Sequence, residues 1–368
     1  MNRSTRFFVA LGATTLLALG LLSPVATATA APSRAAAPAR ADRIEIPAKA
    51  AIRQAVPPSE CASTLLNAYV NELIADMTPE QLVFVFAHLD TLTAVPTYDA
   101  LFFGSAGDPD YALESHAHQL RNTYRDLQRF WDIESDDIQL MAMHGDVLLD
   151  ADRIAATLTR MVAAGEIDPM TPAEIQAEAQ TVAAFMQSQG DFYDNPLWTL
   201  NAYAFSGEGD PNPIFAALPD KLVFGDGILA AYDAIGLGDV GPRVIMAHEF
   251  AHHVQFELGV FDTGPTDPAE ATRRTELMAD AMAAYYGVHK KGLALNKKRV
   301  TDALLSFYTV GDCQFASPGH HGTPLQRERA ADWGADLAAA ARPRSYVLPA
   351  EEFIELFEAA LPRIISGR

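Results

Sequence analysis

The stretch Val244-Ile245-Met246-Ala247-His248-Glu249-Phe250-Ala251-His252-His253-Val254-Gln255 decides how the chain is read. Apolar residues precede its first histidine, and Pro242 stands just ahead, where proline suits a first helical turn. The spacing predicts a helix over residues 242–258. His248 and His252 are four apart, so a helix stacks them on one face and aims both imidazoles at one point. Glu249 projects beside that face, where a carboxylate can serve as a base without being a ligand. Together these residues form His-Glu-x-x-His, the pattern of a zinc site whose bound water, with a pKa near 7, attacks a carbonyl.

A catalytic zinc needs a third protein ligand. A third histidine at position 258 would mark the metzincin arrangement, but Leu258 stands there. The gluzincin arrangement takes a glutamate from a following helix instead. Thr275-Glu276-Leu277-Met278-Ala279-Asp280 supplies one, within a helix predicted over residues 268–288. Glu276 is the expected third ligand of one Zn2+, with Asp280 and His289 as the other available donors. Asp280, one turn beyond Glu276, can also accept an N–H from a ligating imidazole. Taken alone, Glu276 and Asp280 would read as solvated carboxylates near Arg273 and Arg274. The upstream histidines change that reading.

These motifs resemble the neutral zinc metallopeptidases of bacteria, a zincin-like group. The resemblance runs through His248 to Gln255 and Thr275 to Asp280. It continues in Gly311-Asp312 with Gln314, and in His321-Gly322-Thr323 with Gln326-Arg327. It spans about residues 195–337. It implies Zn2+ on His248, His252 and Glu276, Glu249 as general base, and a peptide or protein substrate. Cys313 departs from the pattern, standing where a second acidic residue is expected. The region before residue 190 has no counterpart in that group.

The whole chain has 368 residues, 49% of them hydrophobic, with Lys+Arg 27 against Asp+Glu 47 and a net charge of −20. That composition is globular. Such an acidic chain is a poor partner for nucleic acid or anionic lipid. Arg3 and Arg6, an apolar run from Phe7 to Leu22, and Ala28-Thr29-Ala30 read as a signal peptide over residues 1–30. The chain is thus expected to be secreted, with no stable membrane association after cleavage. Residues 31–58, rich in Ala and Pro, read as a linker. In an oxidising compartment Cys61 and Cys313 either form one disulfide or remain two thiols; Cys61 as a thiolate blocking a metal in a latent precursor is a third reading, which nothing around it supports.

Residues 59–190 read as an all-helical region. Leu65, Leu66, Tyr69, Val70 and Leu73 recur at helical spacing; Thr78-Pro79-Glu80-Gln81 and Thr171-Pro172-Ala173-Glu174 are helix starts. His88, His116, His118 and His144 fall here and are read as surface or satisfied core histidines. Residues 191–368 read as the zincin-like domain, giving an α+β, predominantly helical fold. Within it, residues 197–205 and Lys221-Leu222-Val223-Phe224 are expected strands, the second an edge strand for an extended substrate. Gly236-Leu237-Gly238-Asp239-Val240-Gly241 matches G-x-G-x-x-G, but helix rather than strand precedes it, so it reads as a turn. Thr323-Pro324-Leu325-Gln326 is another helix start. His321, Tyr285, Tyr286 and His289 are the candidates for stabilising an oxyanion.

Two other functions share this sequence reading. One is a zinc amidohydrolase acting on cell-wall peptides. The other is a non-catalytic zinc-stabilised binding protein, against which the retained Glu249 argues.

Overall fold

In the computed structural model the described residues are 65–308 and 322–367. The expected signal peptide, the linker, both cysteines, Gly311-Asp312, Gln314 and His321 lie outside them. The described chain is predominantly helical around one small sheet. Helix α1 is Leu65–Ala75 and α2 is Pro79–Phe103. The Thr78 side chain accepts from the Gln81 N–H while Gln81 returns a bond to the Thr78 backbone, so the predicted helix start is present. Next come α3 (Ala117–Phe130), strand β1 (Gln139–Met143), α4 (Ala151–Ala164) and α5 (Pro172–Ser188). Thr171 caps α5 in the same reciprocal way.

Strand β1 corrects the all-helical expectation for residues 59–190. Gln139-Leu140-Met141-Ala142-Met143 contains no β-branched residue, so local propensity gives no strand signal. The strand exists because it pairs with a partner far along the chain. That partner is β3 (Lys221–Gly225), parallel to β1 in the register Gln139↔Lys221 to Met143↔Gly225. Strand β2 (Ala202–Phe205) pairs antiparallel on the other side of β3. The sheet order is β1-β3-β2, so β3 is central. The edge-strand expectation for residues 221–224 is therefore wrong. All five β3 residues are buried, as befits a strand covered on every side. Residues 197–199, expected as the start of a strand, belong instead to a short 3₁₀ turn, Pro196–Thr199.

The remaining elements are α6 (Pro213–Ala216), α7 (Asp226–Ala234), α8 (Gly241–Glu257), α9 (Pro268–Val288), α10 (Lys297–Tyr308), α11 (Pro324–Ala340) and α12 (Ala350–Ser366). Helices α8 and α9 are the innermost. Nearly every residue from Val244 to Ala251 and from Thr275 to Gly287 is buried. They pack on each other; α3, β2 and α10 cover α8, and α11 lies along α9. A helix apolar all round is one enclosed on all sides. Gly241 permits the tight start of α8, since a Cβ there would lie 2.1 Å from the Tyr232 ring.

Candidate metal centre

Helix α8 presents His248 and His252 one turn apart, and α9 brings Glu276 across to them. The two Nε2 atoms are 3.1 Å apart. Glu276 straddles the pair, with Oε2 3.4 Å from His248 Nε2 and Oε1 3.4 Å from His252 Nε2. Donors about 2.0–2.1 Å from one tetrahedral ion would stand about 3.3–3.4 Å from one another. The donor set therefore fits zinc in both chemistry and spacing, and these three residues could hold a metal ion. His248 has 1% of its side chain exposed and Glu276 has 7%, whereas His252 has 12%. His252 is thus the most exposed of the three.

Each imidazole is held from behind. His248 Nδ1 lies 3.1 Å from Asp280 Oδ1. Asp280 is in turn gripped by Arg327 of α11, with Nε 2.7 Å from Oδ2 and Nη2 2.9 Å from Oδ1. Arg327 Nη2 also lies 3.5 Å from Glu276 Oε2. Placing this guanidinium depends on the start of α11, where Thr323 and Gln326 form the predicted reciprocal cap. His252 Nδ1 lies 3.0 Å from Gln255 Oε1. His253, one residue on, points the other way: its Nε2 is 3.0 Å from the Lys221 carbonyl and its Nδ1 3.3 Å from Asp220. It fastens α8 to the start of β3.

These surroundings divide the two imidazoles electrostatically. Burial disfavours the charged form of His248, but hydrogen bonds to Asp280 and Glu276 outweigh it and raise its pKa to about 9. Burial governs His252, whose pKa is lowered to about 4 despite Glu276. Burial also opposes ionisation of Asp280, yet Arg327 and His248 pull its pKa below the usual carboxylate range. Glu249 is 4% exposed on the same helix. Tyr232 lies beneath this group: burial raises its pKa most, while Arg327, Asp280 and Glu249 all act on it.

The structure thus brings together His248, His252, Glu276 and Asp280 as the spacing suggested. Among the described residues it does not bring in the candidates Tyr285, Tyr286 and His289. Tyr285, Tyr286 and His289 pack in an aromatic cluster with Phe130. Tyr285 lies about 13 Å along α9 from Glu276, at 1.5 Å per residue. The Tyr285 hydroxyl accepts from the Leu348 N–H, and His289 Nε2 lies 2.9 Å from the Tyr346 carbonyl. His88 pairs with Glu178, His116 with Asp233, and His144 with Asp226. His118 sits against Asn122. The segment from Gly236 to Gly241 is the turn between α7 and α8.

Two contributors carried no assigned role in the sequence. Gln255 stands three residues after His252, a helical spacing that could have suggested the contact. Arg327 is 47 residues from Asp280, and only the packing of α11 on α9 reveals it. In comparisons with known proteins the chain matches no family model, no curated protein and no solved structure.

Proposed function

We propose that the chain is an exported, zinc-dependent metallopeptidase. The observation that carries this reading is the convergence of His248, His252 and Glu276, with Glu249 buried at the next position of the same helix. A purely structural zinc site closes its fourth position with another protein ligand and needs no adjacent base. Here His248, His252 and Glu276 would hold the ion, and His252 is the most exposed of the three.

Zinc held by these three residues would supply Lewis acidity, the chemistry that lowers a water's pKa and polarises a carbonyl. Glu249 takes the proton that the water gives up as its oxygen bonds to the carbonyl carbon. It returns that proton to the amine as the C–N bond breaks. Asp280 and Gln255 hold the two imidazoles in place. Arg327 offsets the charge of Asp280 and Glu276, so the carboxylates need not be neutralised by protons.

Strand β2 supports a peptide substrate. It is an edge strand, antiparallel to β3, and packs on α8. Gly225 N–H donates to the Asn201 carbonyl, which makes 201↔225 a bonded pair in the ladder. By alternation, the backbone groups of Ala202 and Ala204 face away from β3, on the side of β2 where no strand pairs among the described residues. An extended peptide could pair there. Export rests on Arg3, Arg6, the apolar run after them and Ala28-Thr29-Ala30. Among the described residues no helix is long and apolar enough to cross a membrane.

The test is zinc content and hydrolysis of a mixed peptide library by the mature protein, beside Glu249→Gln. Stoichiometric zinc in both proteins is expected, with turnover reduced about 10²–10⁴-fold in the variant. Absence of stoichiometric zinc, or full hydrolysis by Glu249→Gln, would refute the reading.

A further inference from the structure

His248 has a carboxylate behind it, whereas His252 has an amide. Gln255 is fully buried. Its Nε2 donates to the Thr275 carbonyl at 2.8 Å, and its Oε1 lies 3.0 Å from His252 Nδ1. A carbonyl only accepts, so the amide nitrogen must be the end facing Thr275. The other end is then the oxygen, which also only accepts. The proton must therefore sit on His252 Nδ1, leaving the Nε2 lone pair directed at His248 Nε2 and Glu276. Thr275 is the residue before Glu276, so the same side chain ties the α8 ligand to the backbone that carries the α9 ligand.

We propose that Gln255 is a positioning residue: it selects the Nδ1–H tautomer of His252 and fixes that imidazole relative to Glu276 before a cation binds. This inference rests on the metal-centre reading and adds to it the residue that decides which His252 nitrogen is available. A reversed tautomer would point an N–H at the cation and remove one donor in three. The dependence is stringent because the Thr275 carbonyl fixes the amide in one orientation.

Two measurements on the full mature chain test this. Long-range proton–nitrogen correlation spectra of the metal-stripped wild type should show His252 protonated on Nδ1. In Gln255→Leu, which keeps the width but neither hydrogen bond, that preference should vanish. Zinc affinity, read by competition with a chromophoric chelator, should weaken about 10–100-fold. Circular dichroism establishes that the variant is folded. If it is not, the wild-type tautomer alone decides. His252 protonated on Nε2, or a folded Gln255→Leu binding zinc within about twofold of wild type, overturns the role of Gln255. Failure of the wild type to bind zinc at all overturns the metal-centre reading and this one with it, even if the tautomer is as expected.

Discussion

At the scale of single residues, the proton on His248 is the competitor that the proposed zinc would have to displace. With its pKa raised to about 9, the metal-stripped site holds that proton at neutral pH. Zinc affinity should therefore rise with pH until about 9 and then level off. The same proton contributes to folding without metal. A histidine whose folded pKa exceeds its unfolded value of about 6.5 stabilises fully below 6.5, and the contribution fades as pH rises through the folded value. Denaturation midpoints in chelator should thus fall between pH 6.5 and 9, and Asp280→Asn should flatten that fall by removing the hydrogen-bonding anion. A wild-type midpoint flat across this window would refute the account. The two histidines and Glu249 were legible in the sequence because helical periodicity converts spacing directly into direction. Glu276 was legible only as the acid that a following helix could supply. Arg327 was not, since no local pattern relates it to Asp280.

At the scale of elements, Lys221 joins the sheet to a helix end. Its Nζ donates to the carbonyls of Ala100, Leu101 and Gly104, at 3.1, 2.7 and 2.6 Å. The last carbonyls of a helix have no intrahelical donors, and a cation there also opposes the negative end of the helix dipole. Burial pushes the ammonium down to about 8, which leaves it charged at neutral pH. Lys221→Met takes the ammonium from the Leu101 and Gly104 carbonyls, whereas Ala100 O keeps the Gly104 N–H, and should cost about 2–3 kcal/mol in urea denaturation. A loss below roughly 0.5 kcal/mol would mean that the carbonyls find other partners. Helix boundaries were the most legible elements: Pro242, Pro268 and the caps at Thr78, Thr171 and Thr323 mark them chemically. The central place of Lys221–Gly225 was not legible locally. A charged residue opening a short apolar run looks like the solvent-facing start of an edge strand, yet its ammonium is consumed inside.

At the scale of the whole molecule, the division at residue 190 cuts through the sheet. Strand β1 comes from the first half, while β2 and β3 come from the second. Residues 191–368 expressed alone would lose β1 and uncover one side of β3, an apolar and unpaired edge prone to association. That fragment is expected to be insoluble, or soluble with weak near-ultraviolet dichroism and no stoichiometric zinc. A folded, zinc-binding fragment would instead make the second half autonomous. The β1–β3 pairing was invisible to a local reading because its cause is a contact between distant segments. Lys221 is likewise 117 residues from Gly104. Closing so long a loop is entropically costly and slows folding relative to local contacts. Helix α8, which carries the proposed metal ligands, is anchored through His253 to the start of β3, so its final placement is expected to follow that closure. Competence to capture zinc should therefore be a late kinetic event, arriving after most helical signal has been regained.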